Sequence, residues 1–306
     1  MKQVHHFATI NEYNELAGQQ TLHPLVSVID FSKIAIPDPE ARRELLTHFS
    51  LGFYAVFFKN NKACDIVYGR KTYDYQEGTL VFMPPNQVVS IEYTDKNARP
   101  GGFGLLFHPD LLHGTPLANA MKEYSFFSYQ ANEALHVSER EKQIVLDCFQ
   151  KIDYELQQSI DKHSRKLIAS NIELFLNYCV RFYDRQFLTR DVPNAGVLAT
   201  FERALNDYLW SDKPSEEGIP TVAQFAADLH LSPNYFGDLI KKETGQSAQE
   251  YIHAKLMEVA REKLFEPAKS VSEVAYELGF KYPAHFTRLF KQRVGQTPNE
   301  YRSALN

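Results

Sequence analysis

The sequence predicts an α+β protein with an N-terminal antiparallel β-barrel or sandwich, a helical hairpin, and a C-terminal all-α domain that contains two helix-turn-helix units. Three observations support this fold class. Residues 24–107 alternate between short aromatic or β-branched runs and turn-forming residues. Residues 138–182 have the apolar periodicity of amphipathic helices. A 16-residue segment near the C-terminus occurs twice, at an offset of 50 positions.

Short strands account for the first part of the chain. We predict strands at 52–58, 66–68, 79–83 and 88–91, separated by turn signals, a spacing typical of a sandwich or small barrel. Several aromatic residues could line a ligand cavity, although ordinary core packing is the simpler explanation for each of them. They are Phe53, Phe57, Tyr68, Tyr73, Tyr75, Phe82 and Phe103, with Arg70 and His108 as candidate polar anchors.

Two helices are predicted to follow the strands. Ser138 and Glu141 form the capping box of the first. The second carries an apolar stripe that could form a homodimer by pairing with the same helix of a second copy, or could pack on the barrel; its members are Ile168, Ile172, Phe175, Cys179 and Phe182. Turn-forming residues at 191–197 predict a linker, which gives domains at 1–190 and 198–306.

The C-terminal repeat aligns Phe236–Tyr251 with Phe286–Tyr301, with seven identities in 16 positions. Each copy predicts a helix, a tight turn and a second helix. Capping boxes start the first helices, at Thr221 and Gln224 and at Ser270 and Glu273. The second helices start at Pro233, after the N-cap residue Ser232, and at Pro283. They end at Gly245 and Gly295. Residues 247–264 predict a spacer helix of about 27 Å, which suits recognition helices in major-groove segments about 34 Å apart.

The second helix of each copy has a buried stripe and an opposite stripe that is free to face a DNA groove. Arg288 fits the acceptors of guanine and Asn234 fits adenine, whereas Lys241, Lys291 and Arg293 suit phosphates. The candidate DNA-contacting residues are Asn234, Tyr235, Gly237, Asp238, Lys241, Pro283, Ala284, His285, Thr287, Arg288, Lys291 and Arg293.

Residues 198–306 resemble the DNA-binding domain of the AraC/XylS family of transcription regulators. The resemblance is carried by residues 221–223, 231–236 and 241–245, and above all by 272–280, 285–291 and 295–302. It implies two recognition helices, from Pro233 and from Pro283, on one face of double-stranded DNA. Gly237 and Asp238 depart from the larger or basic residues that are usual in the family, so the first recognition helix is expected to read sequence weakly.

Gly78 and Pro84-Pro85-Asn86, separated by five residues, resemble the second motif of cupin-like barrels, the usual sensor of this regulator family. The resemblance therefore implies a cupin-like domain that binds a small-molecule effector and forms a homodimer, in a regulator that could also contact RNA polymerase. The histidine and glycine that metal-binding cupins would have near Asn86 and Val89 are missing from the sequence. We therefore expect no metal and no cofactor.

The charge of the chain does not by itself favour nucleic acid, since the net charge is −5. Residues 198–306 contain 13 basic and 15 acidic residues, a net charge of −2. Residues 281–306 contain five basic residues and one acidic residue, a net charge of +4. DNA contacts are therefore expected to depend on local charge, with modest non-specific affinity.

The sequence also predicts the compartment. His5 and His6 occupy the place of the apolar core of a signal peptide, and the apolar stretch 51–58 falls short of the ~20 residues of a membrane span. We expect a cytoplasmic protein in which the three cysteines, Cys64, Cys148 and Cys179, are buried free thiols.

Two other function classes stay open at this point. An enzyme built on the barrel would need metal ligands or a nucleophile–base motif, which the sequence does not offer, so we predict no enzyme. A protein-interaction adaptor would use the helical hairpins without DNA. Replacing Arg288 would then leave the behaviour towards DNA unchanged.

Overall fold

A computed structural model of the chain describes residues 4–33, 39–59, 65–68, 71–72, 78–92, 101–129, 133–189, 196–266 and 268–303. They belong to two units, Met1–Thr189 and Arg190–Asn306. The first combines sheets with helices, and the described part of the second contains helices alone. These elements confirm the combination of helices, antiparallel sheet and a C-terminal helical domain.

The N-terminal unit contains both kinds of element in alternation. Its strands are β1 (His5–Phe7), β2 (Val26–Asp30), β3 (Phe49–Leu51), β4 (Tyr54–Lys59), β5 (Asp65–Tyr68), β6 (Lys71–Thr72), β7 (Thr79–Met83), β8 (Ser90–Glu92), β9 (Gly102–Phe107) and β10 (Leu135–His136). Its helices are α1 (Ile10–Ala17), α2 (Pro39–Thr47), α3 (Pro109–Leu112), α4 (Pro116–Ala120), α5 (Glu139–Leu156) and α6 (Ser164–Thr189), with 3₁₀ turns at Met121–Glu123 and Ser125–Ser128.

The main sheet has five antiparallel strands in the order β10-β7-β4-β9-β2. A second sheet has the order β6-β5-β8, and β1 pairs with β3 in parallel. The parallel pair departs from the expected wholly antiparallel arrangement. The described strands form open sheets, and no closed barrel is found among them; the cupin-like barrel therefore stays a prediction.

The two faces of the five-stranded sheet pack against different layers. Phe57 is paired with Val81 and Gly104 in register, and it belongs to an aromatic core with Phe53, Phe49 and Tyr13. The alternate positions face the other side, where the Phe82 ring lies 4.5 Å from the Phe126 ring.

The predicted aromatic lining is therefore wrong as a single set. Phe53 and Phe57 are buried in the core of one face, whereas Phe82 and Phe103 belong to the opposite face. Among the candidate anchors, His108 caps α3, since its Nδ1 accepts from the Asp110 amide at 3.2 Å. Arg70, Tyr73, Tyr75 and the side chain of Tyr68 lie outside the described residues.

The helical hairpin is formed by α5 and α6, and the Ser138–Glu141 capping box is present as predicted. Every member of the predicted stripe on α6 is buried within the single chain. The Phe175 ring, for example, lies 5.1 Å from the Phe149 ring of α5. Of the two alternatives, this stripe packs inside the unit, so it cannot serve as the surface of a dimer.

Two of the three cysteines confirm the predicted free thiols. Cys148 and Cys179 are free and buried on α5 and α6. Burial raises the pKa of both thiols, that of Cys179 strongly, which keeps them in the unreactive thiol form. Cys64 lies outside the described residues.

Within the described ranges, no helix combines the length and the apolar composition that a membrane crossing requires.

The C-terminal unit is organised around one long helix, α11 (Ala248–Leu264), the predicted spacer. It is preceded by α7 (Val197–Leu209), α8 (Lys213–Glu217), α9 (Val222–Asp228) and α10 (Pro233–Thr244), and followed by α12 (Val271–Glu277), α13 (Pro283–Val294) and α14 (Pro298–Ser303). The spacer packs against α7, α10, α12 and α13. Val197 already belongs to α7, and residues 191–195 of the predicted linker lie outside the described residues.

Aromatic clusters hold each half of this unit. The Phe201 ring lies 5.1 Å from both Phe225 and Phe236 in the first half. The Phe290 ring lies 5.6 Å from both Phe286 and Tyr301 in the second half. Each helix-turn-helix unit therefore has its own core, and α11 joins the two.

Candidate nucleic-acid interface

The first helix of each helix-turn-helix unit begins with the predicted capping box. In the first copy the Thr221 hydroxyl accepts from the Gln224 amide at 3.3 Å, and the Gln224 side chain accepts from the Thr221 amide at 2.7 Å. Ser270 and Glu273 make the equivalent pair in the second copy, at 3.2 and 2.6 Å. Both α9 and α12 therefore start at a fixed residue.

The two tight turns have the same hydrogen bonds. His230 and Leu231 donate to the carbonyls of residues 227 and 226, at 3.0 and 2.9 Å. Gly279 and Phe280 donate to the carbonyls of residues 276 and 275, both at 2.9 Å. The turning residue has a left-handed backbone in both copies, with φ of 58° at His230 and 86° at Gly279. The repeat in sequence is thus a repeat in backbone geometry.

The second helices, α10 and α13, end alike but begin differently. Gly245 and Gly295 end them in the left-handed region and donate to the fourth residue before them at 2.9 Å. Ser232 caps α10 by accepting from the Tyr235 amide at 3.1 Å. The longer turn of the second copy puts Tyr282 at this position, where no side-chain cap bond forms.

The predicted buried and outward stripes are largely as expected. Phe236, Leu239, Ile240, Phe286 and Phe290 are buried, and Leu289 is half-buried. On the outward side, Asn234, Lys241, Ala284, His285, Arg288 and Lys291 are exposed, and Gly237, Asp238, Pro283 and Thr287 are half-exposed. The Thr287 hydroxyl donates to the Pro283 carbonyl at 3.1 Å, within its own helix.

Tyr235 is the clearest departure from the predicted set. It is the counterpart of His285 in the repeat, yet its side chain is only 3% exposed and belongs to the domain core. His285 is exposed, and its ring lies 5.5 Å from the ring of Tyr282, which is 56% exposed. The predicted set therefore included one buried tyrosine, Tyr235, and did not include the exposed Tyr282 beside His285.

Arg293, a predicted phosphate contact, is exposed but lies on another side of α13 than the outward stripe. At about 100° per residue it is about 180° from Ala284 on α13. It borders a small cavity with Gly245 and Glu250, at the start of α11. Its charge and that of Lys241 contribute to the lowered pKa of Glu250. The last turns of α10 and α13 thus both approach Glu250 at the start of α11.

Acid should destabilise this unit through its capping glutamates. Hydrogen bonds from the N-cap residues lower the pKa of three glutamates below the ordinary 4.5. The main donors are the Ser247 hydroxyl for Glu250, the Ser270 amide for Glu273 and the Thr297 amide for Glu300. Their contribution is therefore complete above pH 4.5 and is lost as the pH falls through the lower folded-state values. We expect the urea concentration at the unfolding midpoint of the chain to decrease as the pH is lowered below 4.5.

Glu273→Gln is the matched variant, because Gln224 shows that an amide completes the same box in the first copy. The variant should keep the cap but show a shallower decline of the midpoint below pH 4.5. A decline equal to that of the wild type would contradict the assignment.

Comparison with known proteins finds a family match within this unit. Residues 225–304 match the family model described as "Helix-turn-helix domain". The chain is 37% identical over 112 residues to the uncharacterized HTH-type transcriptional regulator YtdP and 35% identical over 85 residues to YobQ, both of Bacillus subtilis. These alignments cover 37% and 28% of this chain, and 14% and 35% of the relatives. The chain therefore spans only a minor part of either relative's length.

Solved structures are also similar to part of this chain. The C-terminal domain of the two-component response regulator yesN from Fusobacterium nucleatum is 26% identical, with 35% of this chain and 99% of that chain covered and a TM-score of 0.32. A transcriptional regulator described as containing an AraC-type DNA-binding domain, from Chromobacterium violaceum, is 22% identical, with 36% and 95% covered and a TM-score of 0.31.

Proposed function

We propose that this chain, whose residues 225–304 form a helix-turn-helix domain of the AraC type, is a transcription regulator that recognises a specific sequence in double-stranded DNA. The observation that carries the proposal is the pair of recognition helices, α10 and α13, built by the same caps and turns and joined by α11. Both have an outward polar side that does not contribute to the core. Two such helices are suited to enter two successive major-groove segments on one face of the DNA.

The second recognition helix should make the stronger contacts. On α13, His285, Arg288 and Lys291 are exposed along one side. On α10 the half-exposed Asp238 accompanies Lys241, and a carboxylate near the backbone repels phosphate. We therefore assign base recognition mainly to Arg288, which can bind guanine O6 and N7 with two donors.

The N-terminal unit is proposed to control this activity by binding a small molecule or a partner. It is a separate unit of the chain, and it contains a cavity of about 700 Å³. A cupin-like origin and homodimerisation remain part of the proposal. Because the predicted α6 stripe is buried in one chain, a dimer would need another surface. Sedimentation equilibrium of the full chain measures its state directly.

Selection from fragmented genomic DNA tests the function. The full-length protein is incubated with the fragments at low and at physiological salt, and the retained DNA is sequenced. We expect a few sites to be enriched, and the enrichment to be lost with Arg288→Ala. Lys269→Ala is the control, because it also removes one positive charge. The Lys269 ammonium is already paired within the chain, with Glu266 and Glu277 at 3.1 and 2.8 Å. Uniform retention at both salt concentrations by the wild type and also by residues 198–306 alone, which lack the proposed effector-binding unit, would refute sequence-specific regulation.

Lys291→Ala should weaken binding to specific and bulk DNA alike. Its ammonium is an exposed point charge in the last turn of α13, suited to a phosphate rather than a base edge. The slope of log K against log salt concentration should fall in magnitude by about 1. A salt titration monitored by fluorescence anisotropy measures it, and an unchanged slope would exclude a phosphate contact.

A further inference from the structure

The cavity of the N-terminal unit lies on the side of the five-stranded sheet that packs against α5, not in the aromatic core of the other side. Its volume of about 700 Å³ falls within the range of small-molecule sites. Asp30 and Phe103, paired in register between β2 and β9, line it from the sheet. Leu22 at its border is 43% exposed, which leaves apolar surface available to a ligand.

Two carboxylates from different elements line this cavity. Asp30 ends β2, and its Oδ1 accepts from the Ser32 hydroxyl at 2.6 Å and from the Ser32 amide at 3.1 Å. Burial alone would raise the pKa of Asp30, but the hydrogen bonds from Ser32 and Lys33 outweigh it and lower the pKa. Asp153 projects from α5, where its Oδ2 accepts from Gln157 at 2.8 Å. Both carboxylates are thus oriented by neighbouring donors.

An ammonium group of the chain already approaches these carboxylates. The Lys33 Nζ lies 2.9 Å from Asp30 Oδ2, although the lysine side chain is 81% exposed. Asp30, and to a smaller extent Asp153, raise the pKa of Lys33. The Asp30 side chain is only 19% exposed, so the lysine alone is the exposed end of this pair. A salt bridge to an exposed lysine contributes little stability, so an incoming ammonium could replace Lys33 at small cost.

The polar border of the cavity is held in place from inside the unit. Gln19, which lines the cavity, donates to the Val28 carbonyl at 2.8 Å and to the Ser27 hydroxyl at 3.3 Å. Ser27 in turn donates at 3.0 Å to Asn14, which is 1% exposed. This buried network fixes the segment between α1 and β2 before any ligand arrives, which reduces the entropy cost of binding.

We propose that the cavity between β2, β9 and α5 binds a small organic ammonium ion, with Asp30 and Asp153 as its carboxylate partners. The apolar part of the ion would lie against Phe103 and Leu22. The aromatic face of Phe103 would also attract the positive charge of the ion. The inference rests on the proposed function and deepens it, because such an ion would be the effector of the regulator.

Isothermal titration of the full-length protein tests the proposal with phenethylamine and putrescine as probes. Phenethyl alcohol and butanediol are the neutral controls of the same carbon skeletons. We expect at least one amine to bind with a Kd below about 1 mM and its alcohol to bind at least about tenfold more weakly, since hydrogen bonds to charged groups are the strong ones. Failure of both amines to bind, or equal binding of the alcohols, would overturn the proposal.

Asp153→Asn locates the binding, and Asp147→Asn is its matched control. Both aspartates lie on α5 and accept at 2.8 Å from a glutamine four residues away, Gln157 and Gln143. Only Asp153 of the two lines the cavity. Amine affinity should fall at least about tenfold in Asp153→Asn and stay unchanged in Asp147→Asn. Equal effects of the two variants would place the amine elsewhere.

The same samples separate this inference from the proposed function. Retention of selected genomic fragments is measured for the wild type and both variants, with and without the amine. Selective retention without amine binding overturns the cavity assignment and leaves the regulator standing. Amine binding with uniform retention of DNA both with and without the amine refutes the regulator and supports the cavity assignment as a binding site.

Discussion

Gly279→Ala is expected to lower the free energy of unfolding of the C-terminal unit by about 2–5 kcal/mol. The residue has φ of 86°, a conformation that costs other L-residues about 1–2 kcal/mol. A Cβ atom there would lie 2.6 Å from the Gly218 carbonyl carbon, 2.7 Å from the Pro214 oxygen and 2.8 Å from the Ile219 nitrogen. All three are backbone atoms that cannot rotate away, so an overpacking cost of about 1–3 kcal/mol adds to the strain.

This close approach joins the two halves of the unit, since residues 214–219 precede the first helix-turn-helix and Gly279 lies in the turn of the second. Urea unfolding can be followed by the fluorescence of Trp210, the single tryptophan of the chain, which is 49% exposed at the end of α7. Gly295→Ala is the matched control, because φ is 89° there but no atom lies within 4 Å of the added Cβ. It should cost only about 1 kcal/mol. Equal losses in both variants would mean that backbone strain alone is responsible.

Arg288→Ala is expected to weaken binding to the selected DNA site by about 1–3 kcal/mol, or about 5- to 150-fold. Arg288 is exposed on the outward side of α13, in register with Ala284 and Lys291. Loss of a two-donor contact to one guanine should also abolish discrimination at that one base pair. Fluorescence anisotropy with the selected site and its single-base variants measures both effects.

Lys269→Ala serves as the control for this loss of charge, and it should bind the site nearly as well as the wild type. A loss in Arg288→Ala that is the same for every base-pair variant would show a phosphate contact instead of base recognition. An unchanged affinity would favour the adaptor interpretation, in which the helical hairpins serve protein partners.

Local sequence signals predicted the second unit well. Ser270, Glu273, Gly245 and Gly295 act through hydrogen bonds to residues at most four positions away, so their effect can be read without knowing the fold. The same signal occurs near the N-terminus, where Thr9 and Glu12 form a capping box that starts α1, a helix outside the predicted set. Such boxes specify where a helix begins, independently of what the helix packs against.

Burial was decided by contacts between distant segments. Tyr235 and His285 occupy equivalent positions in the repeat, but Tyr235 is buried and His285 is exposed. The two helices pack against different residues, so equivalent positions differ in burial. From the sequence alone, the apolar stripe on α6 could pack against a second copy of the chain as well as against α5. The structure shows that α5 covers it. Periodicity identifies a side that must be covered without naming the element that covers it.

The sequence alone determined the two helix-turn-helix units, their caps and their outward polar residues, since these depend on interactions within a few residues. Contacts between distant segments account for the open sheets of the N-terminal unit, the burial of Tyr235, the position of Arg293 and the cavity between β2, β9 and α5. Asp30 and Asp153 are separated by more than a hundred positions. Their approach to one cavity follows from the packing of a helix on a sheet, for which no local pattern exists.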